Sequence, residues 1–183
     1  MATAELLLTL EEFLRLPQNG KLRELVRGTV VEMNPPKPRH GMICLRIGQY
    51  LANYNDTAKL GRLMSNDTGV ITHRNPDSVR GADVAFYSYT RVPPEVSLWD
   101  YFPAAPDLVC EVMSEYDRWR EVVAKAAEYL EAGVRAVCVF HPDDETITIF
   151  RGERGPEVLQ VGDTFTLSDI LGEFRVPVKE FFA

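Results

Sequence analysis

Residues 105–117, with the sequence APDLVCEVMSEYD, contain an acid within a segment that otherwise has the composition of a buried β-strand. Side chains of a strand alternate between its two faces, which puts Val109, Glu111 and Met113 on one face. The remaining residues of the segment 108–113 are also apolar, as is typical of a central strand covered on both sides. The sequence therefore predicts a central strand with one carboxylate directed to one side of it.

A second acid, Asp83, lies in a similar segment, RGADVAFYSYT at residues 80–90. Alternation predicts one face with Asp83, Ala85 and Tyr87 and another with Ala82, Val84 and Phe86. A buried, unpaired carboxylate costs several kcal/mol, and two carboxylates about 4 Å apart repel by roughly 4 kcal/mol at an effective dielectric constant of about 20. A hard divalent cation reverses that sign, because Mg²⁺ and Mn²⁺ bind carboxylate oxygens, backbone carbonyls and waters. We therefore predict a Mg²⁺ or Mn²⁺ site at Asp83 and Glu111.

The next predicted helix, residues 117–132, carries a lysine, Lys125, that can reach the predicted site of Asp83 and Glu111. The predicted buried stripe of this helix consists of Trp119, Val122, Val123, Ala126, Ala127 and Leu130. Arg118, Lys125 and Tyr129 follow one flank of that stripe, so Lys125 lies at the boundary of core and solvent. A lysine beside a metal-bound water can orient it and help it lose a proton. The alternative is an ordinary exposed pair with Glu121, four residues earlier.

The order of predicted elements indicates one α/β domain, residues 1–183, with a mixed central β-sheet flanked by helices. A capping box at Thr9 and Glu12 begins a short helix, and a hairpin turns at Arg27 and Gly28. The further predicted helices are residues 41–55 and 117–132, and the further strands are residues 69–73, 82–87, 108–113, 134–140 and 146–152. The proline-rich segment 91–105 is predicted to be a loop.

Composition limits the classes of function. The chain has 20 basic and 27 acidic side chains, a net charge of −7 and a pI near 5.0, which argues against a protein that coats nucleic acid through overall positive charge. Three scattered cysteines, Cys44, Cys110 and Cys138, are expected to be free thiols in a reducing compartment. The N-terminal apolar run is too short for a leader or a membrane span, so we expect a cytoplasmic protein without a membrane partner.

Four segments resemble, in the same order, blocks of the Uma-two family of the PD-(D/E)XK, restriction-endonuclease-like superfamily. They are LRELVRGTVVEMNPPKPRHGMICLRIGQYL, GADVAFYS, APDLVCEVMSEYD and AKAAEYLEAGVRAVCVFHPDDETITIFR, and the resemblance spans residues 8–182. It implies a restriction-endonuclease-like core in which Asp83 and Glu111 are the two motif acids. Lys125 matches a family lysine that has moved from the usual position, here Met113, to the following helix. Glu24 matches an acid that serves as a further metal ligand.

The resemblance implies a Mg²⁺- or Mn²⁺-dependent endonuclease that hydrolyses phosphodiester bonds in DNA. In this hypothesis Asp83, Glu111, Lys125 and Glu24 are catalytic, and the metal ligands are Asp83, Glu111, Glu24 and the Val112 carbonyl. Weaker candidates for substrate contacts are His40, Arg39, Arg118 and Tyr129. Cutting both strands of a duplex would favour a homodimer.

Other interpretations remain open for these residues. Glu24 could be a solvent-facing acid of a hairpin strand, and His40 could simply be a residue at the start of a helix. A basic rim for a phosphate backbone could be formed by Lys37, Arg39, Arg74, Arg80, Arg118 and Arg120. The fold could also serve as a noncatalytic module that binds nucleic acid or protein, or as a scaffolding dimer built on the aromatic side chains Trp99, Tyr101 and Phe102. The scattered His73 and His141 do not predict a zinc site.

Overall fold

The computed structural model of the protein describes residues 7–152 and 154–183. Residues 1–6, the first part of the segment for which the sequence predicts no leader, lie outside the described residues. The helices are α1 (Leu10–Leu14), α2 (Pro38–Ala58), α3 (Trp119–Glu131), α4 (Ser168–Leu171) and a 3₁₀ helix (Val178–Phe181). The strands are β1 (Leu22–Val26), β2 (Thr29–Met33), β3 (Gly61–His73), β4 (Ser78–Ser88), β5 (Leu108–Val112), β6 (Ala136–His141), β7 (Thr146–Arg151), β8 (Arg154–Leu159), β9 (Thr164–Phe165) and β10 (Val176–Pro177).

The central sheet has the strand order β2-β1-β4-β5-β6-β7-β8, with β3 paired to β4 outside that path. Strands β5 and β6 are parallel and are connected through α3, whereas the other pairs of this sheet are antiparallel. A parallel pair requires a crossover connection, and the helix between β5 and β6 supplies it. The mixed sheet flanked by helices confirms the predicted α/β class.

Strand β4 is a branch point of the sheet. It pairs with β3 along its length on one edge, while its other edge pairs first with β1 at Val79 and then with β5 at residues 84–86. Residues 80–83 therefore lie between the two pairings on that edge. Backbone groups there need other partners, because buried N–H and C=O groups are almost always hydrogen-bonded.

The two faces of the sheet carry different layers. On one face, the buried Ile43, Ile47 and Leu51 of α2 pack with β4, β5, β6 and the C-terminal segment. On the other face, Ala126 and Tyr129 of α3 pack with β4, β5 and β6. The alternation predicted for β5 is correct, since Leu108, Cys110 and Val112 pack on the α2 side and Val109 packs on the α3 side.

The alternation predicted for β4 fails at two residues, Ala82 and Asp83. Asp83 lies on the α2 side of the sheet, 3.3 Å from His40 Nε2, whereas Ala85 and Tyr87, predicted to share its face, pack on the α3 side. Ala82 packs in the α3-side cluster with Ala85 and Tyr87, not with Val84 and Phe86. The cause lies in β3, where the register shifts from Ser65 opposite Val84 to Thr68 opposite Ala82. Two residues of β3, Asn66 and Asp67, thus face the single residue Asp83, and both have positive φ angles of 64° and 54°. This is a β-bulge, which changes the direction of side chains locally and often lies beside an active site.

The other predicted elements differ from the observed ones mainly in length. The hairpin of β1 and β2 turns at Arg27 and Gly28 as predicted, with φ angles of 47° and 78° that suit a tight turn. Helix α2 begins earlier than the predicted residue 41. Strand β3 extends through the bulge back to Gly61, whereas the prediction began it at residue 69 because the polar residues 65–68 resemble a turn. No helix within the described residues is long and apolar enough to cross a membrane.

The segment between β4 and β5 forms no helix or strand, as its prolines predict. Its aromatic residues have different environments. The Phe102 ring packs edge-on against Tyr87 with 4.6 Å between the centroids, and Tyr101 packs with the small cluster that holds Leu10 and Leu25. Trp99, in contrast, is 95% exposed.

Candidate active site

The free edge of β4 between its two pairings is filled by side chains from two other elements, β1 and α3. The Gly81 N–H donates to Glu24 Oε1 of β1 at 2.9 Å. The Gly81 carbonyl accepts from Lys125 Nζ at 2.9 Å and lies 3.2 Å from the Tyr129 hydroxyl oxygen, both on α3. Side chains thus replace the missing strand at this position, which brings Glu24, Lys125 and Tyr129 together around one residue.

Glu111 of β5 lies in the same group, on the α3 side of the sheet. Its Oε2 accepts from Lys125 Nζ at 2.9 Å, and its Oε1 accepts from the Tyr129 hydroxyl at 2.9 Å. Burial and, secondarily, the negative charge of Asp83 raise the pKa of Glu111 to about 7, although Lys125 opposes the shift. The carboxylate is therefore poised between its charged and neutral forms near neutral pH.

Lys125 is largely buried between two acids and does not form the exposed pair with Glu121 that was the alternative. In addition to Glu111, its Nζ lies 3.2 Å from Glu24 Oε1, and only 19% of its side chain is exposed. Burial by itself would lower the pKa of Lys125, but Glu111 and Glu24 outweigh it, and the pKa is raised. Lys125 is therefore protonated at neutral pH, so it can stabilise negative charge and donate hydrogen bonds but cannot accept a proton.

Glu24 is buried, with 5% exposed, and is not the solvent-facing acid of the alternative interpretation. Its Oε2 accepts from Arg80 at 2.9 Å, and Arg80 also donates to Glu128 of α3 at 2.6 Å. Arg80 thus lies inside the network, with 16% of its side chain exposed, and not on a surface rim. Glu24 of β1 is therefore fixed by ion pairs with two cations, Arg80 of β4 and Lys125 of α3, which connect β1 to α3.

Asp83 connects this group to helix α2. Its Oδ2 accepts from the Val112 N–H at 2.7 Å and lies 3.3 Å from His40 Nε2. His40 is the third residue of α2, and 14% of its side chain is exposed. Burial lowers the pKa of His40, but the hydrogen bond and charge of Asp83 outweigh that effect and raise it. Val112 touches Asp83 through its N–H, while the predicted ligation by its carbonyl stays a prediction.

Two further residues near Asp83 were missed in the sequence. Cys44 Sγ lies 3.4 Å from His40 Nδ1, one helical turn further along α2. Asp67, in the bulge of β3, is close enough to Asp83 that partial burial and the Asp83 charge raise its pKa. The four-residue spacing of His40 and Cys44 was a visible signal, since such residues share a helix face. The sequence alone does not bring Asp67 to Asp83, because that contact depends on the register of β3 against β4.

Two cavities meet at His40. One, of about 580 Å³, lies between α2 and β3 and is lined by His40, Cys44, Asp67 and Asp83 among others. The second, of about 350 Å³, lies between the start of α2 and the loops that follow β5 and β6. Asp83 is therefore reachable from solvent on the side of α2, whereas Glu111, Lys125 and Tyr129 lie behind it.

The weaker predicted contacts are distributed differently. Tyr129 is fully buried within the site, while Arg39 donates to Glu145 and to the Phe182 carbonyl, outside the carboxylate group. Arg118 is exposed at the start of α3. Besides Arg80, three residues of the predicted basic rim are paired with acids, Lys37 with Glu115, Arg39 with Glu145 and Arg74 with Asp77.

The stripe predicted for α3 is shifted around the helix. Trp119 and Ala127 are exposed, while Lys125 and Tyr129 face the sheet. The hydrogen bonds of the last two residues to Glu111 and Gly81 explain the difference, because polar groups with partners can be buried in place of apolar ones.

The donor set fits a hard divalent cation. Asp83 and Glu111 are carboxylates from adjacent strands, each largely buried, and the pKa of Glu111 is raised partly by the charge of Asp83. A cation with oxygen ligands would remove that repulsion. Glu24 offers a third carboxylate, already held by Lys125 and Arg80.

A comparison with curated proteins found no match. Among solved structures, a putative nuclease belonging to DUF820 from Anabaena variabilis ATCC 29413 is similar, with a TM-score of 0.83 over 96% of this chain and 97% of that one, at 20% identity. This similarity supports the fold. The Uma2 family model, described as "Putative restriction endonuclease", matches residues 10–179, nearly the whole chain. This chain therefore belongs to the Uma2 family.

Proposed function

We propose that this protein is a Mg²⁺- or Mn²⁺-dependent endonuclease that hydrolyses phosphodiester bonds in DNA. The observation that carries the proposal is the group at the free edge of β4, where Glu24 and Glu111 both contact a largely buried, charged Lys125 and the nearby Asp83 adds a further negative charge. Family membership supports a nuclease, and perturbed, partly buried acids beside a cavity are typical of functional sites.

Asp83 and Glu111 would hold the cation, with Glu24 and the Val112 carbonyl in support. The bound ion supplies positive charge for the phosphoryl oxygens and makes a bound water more acidic. Lys125 remains protonated because Glu111 and Glu24 flank it, so it stabilises negative charge and orients the attacking water by donating to it. Tyr129 fixes Glu111 through its hydroxyl, which restricts the carboxylate to one orientation. His40, at the mouth of the site, is suited to contact the substrate.

We further propose that the protein acts as a single domain in the cytoplasm, where its three cysteines, free in the structure, would remain reduced. Cutting both strands of a duplex would be simplest for a homodimer. The exposed Trp99 is one candidate for a contact between copies.

Calorimetric titration with Mn²⁺ tests the site without a known substrate. We expect one high-affinity site in the wild type and at least tenfold weaker binding in both Asp83→Asn and Glu111→Gln. Glu121→Gln, an exposed acid on the same helix as Lys125, is the matched control and should bind as the wild type does. The same four proteins are then incubated with supercoiled plasmid and Mn²⁺, where only the wild type and the control should cut. Equal Mn²⁺ binding by all four proteins would overturn the proposal.

A noncatalytic module is the second candidate function. The net charge of −7 and the pairing of four rim residues with acids favour it, because within the described residues only Arg118 and Arg120 of the predicted basic rim have no acid partner to compete with a phosphate backbone. It predicts DNA or protein binding that Lys125→Ala leaves unchanged and that charge reversal at Arg39 or Arg118 abolishes. Cleavage that depends on Lys125 would exclude it.

A further inference from the structure

A second set of metal-binding donors lies on the opposite side of Asp83 from Glu111. One ring nitrogen of His40, the Cys44 sulfur and a carboxylate oxygen of Asp83 all lie within 4.8 Å of one another. His40 and Cys44 come from α2, and Asp83 comes from β4. We propose that His40, Cys44 and Asp83 form a binding site for a transition-metal ion of the Zn²⁺ class.

The distances suit such an ion. Zinc–ligand bonds of about 2.0–2.3 Å in a tetrahedral site place the ligand atoms roughly 3.3–3.8 Å apart. His40 Nε2 and Asp83 Oδ2 are already 3.3 Å apart. The other separations between the three ligand atoms do not exceed 4.8 Å, so the Cys44 sulfur needs to approach by at most about 1 Å, which rotation of the Cys44 and His40 side chains can provide.

The chemistry of the donors separates this site from the proposed catalytic one. Thiolate and imidazole are soft or intermediate ligands that select Zn²⁺ and its neighbours in the transition series, whereas Mg²⁺ and Mn²⁺ select oxygen ligands. Asp83 is common to both sets, with Cys44 and His40 on one side and Glu111 on the other. The identity of the ion therefore decides which partners Asp83 takes.

The local fold holds the donors in place and leaves them accessible. The four-residue spacing of His40 and Cys44 puts both on one face of a helix of 21 residues, anchored by the buried Ile43 and Ile47. Asp83 is oriented by the Val112 N–H at 2.7 Å. All three donors line the cavity of about 580 Å³, from which an ion can enter and in which a water or a phosphate oxygen can complete the coordination. Three protein ligands with an open fourth position are characteristic of zinc sites that are not purely structural.

This site has a consequence for the nuclease, which rests on the proposed function. Because Asp83 belongs to both donor sets, an ion held by His40 and Cys44 would occupy a ligand that the catalytic cation needs, so Zn²⁺ is expected to inhibit Mg²⁺-dependent cleavage. Inhibition should become at least tenfold less sensitive to Zn²⁺ in Cys44→Ser.

Cobalt spectroscopy on the full-length, metal-free protein tests the site without DNA. We expect one Co²⁺ to bind the wild type with tetrahedral visible bands and a sulfur-to-cobalt charge-transfer band in the near ultraviolet, and Zn²⁺ to displace it. Cys44→Ser should lose the charge-transfer band, and His40→Asn should bind Co²⁺ at least tenfold more weakly. Glu111→Gln is the control that leaves the three donors intact. It should keep the charge-transfer band and bind Co²⁺ as tightly as the wild type does.

The outcomes separate this proposal from the nuclease. A wild-type cobalt complex without sulfur charge transfer, or an unchanged band in Cys44→Ser, would overturn the zinc-class site. A complex that weakens as much in Glu111→Gln as in His40→Asn would overturn it too, since the ion would then lie between Asp83 and Glu111. A cobalt site that depends on Cys44, in a protein that cuts no DNA, would support this proposal and overturn only the nuclease. Circular dichroism of each variant confirms that it is folded.

Discussion

Lys125 donates a hydrogen bond of 2.9 Å to Glu111 from the opposite side of a buried interface between α3 and β5. Lys125 alone does not fully stabilise the charged form of Glu111, because the pKa of Glu111 is raised to about 7 even with the lysine beside it. The cost of removing the Glu111 carboxylate from water outweighs its attraction to Lys125, as is common for buried ion pairs. A second positive charge at this site would therefore be stabilising, which is the electrostatic reason to expect a cation there.

Mn²⁺ affinity should depend on pH in a defined direction. The raised pKa means that Glu111 carries a proton below about pH 7, and a metal ion must displace that proton. The association constant should therefore fall by about tenfold for each pH unit below about pH 7 and level off above it. Calorimetry between pH 5.5 and 8.5, in pairs of buffers with different ionisation enthalpies, measures the affinity and the released protons together. An affinity independent of pH across this range would contradict the assignment of Glu111 as a ligand.

Removing the charge of Lys125 should destabilise the metal-free protein. Lys125→Met leaves Glu111 and Glu24 without their common cation, and breaking a buried ion pair by removing one partner costs about 3–5 kcal/mol. The double variant Lys125→Met with Glu111→Gln should be more stable than the sum of the two single changes by about 1 kcal/mol or more. Urea denaturation of the four proteins gives the cycle. Additive changes in the free energy of unfolding would mean that the two residues are not coupled.

Gly81 should not tolerate a side chain, for a reason that is steric and not conformational. A Cβ atom at Gly81 would lie 3.0 Å from the Asp67 Cβ and 3.3 Å from the Asp67 carbonyl oxygen, so the bulge of β3 would have to move. We expect Gly81→Ala to lower the free energy of unfolding by about 1–3 kcal/mol. Gly48→Ala is the matched control, because a Cβ atom there, inside α2, would meet no described atom within 4 Å other than those of its chain neighbours and of its own helix backbone. That change should raise stability by about 0.5–1 kcal/mol.

Two aromatic residues in the segment between β4 and β5, Phe102 and Trp99, should contribute very differently to the stability of the fold. Phe102→Ala removes the edge-on contact with Tyr87 and should cost about 1–3 kcal/mol. Trp99→Ser changes a side chain that is 95% exposed and should alter stability by no more than about 0.5 kcal/mol. Thermal unfolding measures both effects. Analytical ultracentrifugation of Trp99→Ser then tests the scaffolding interpretation, in which loss of this side chain would dissociate a dimer.

The acids of the site could be predicted because they interrupt apolar strands. Glu111 lies on the predicted face of β5, since that strand is regular and central, and its neighbours alternate without interruption. The same reasoning fails at Ala82 and Asp83 in β4, where the bulge at Asn66 and Asp67 changes the register of the partner strand. Periodicity describes one strand at a time, so it cannot detect an irregularity that belongs to a pair.

The chain's local spacing by itself determined the α/β class and the two acids within apolar strands, because these depend on side chains only a few residues apart. Only the tertiary structure decided that Glu24 is buried, that Arg80 lies inside the network and that Lys125 bonds to Gly81. These contacts join residues separated by 44 to 57 positions. They exist because β4 changes partners from β1 to β5 and leaves a short edge of backbone for side chains to fill. Such an edge arises from the order of strands in the sheet, which no local pattern of residues encodes.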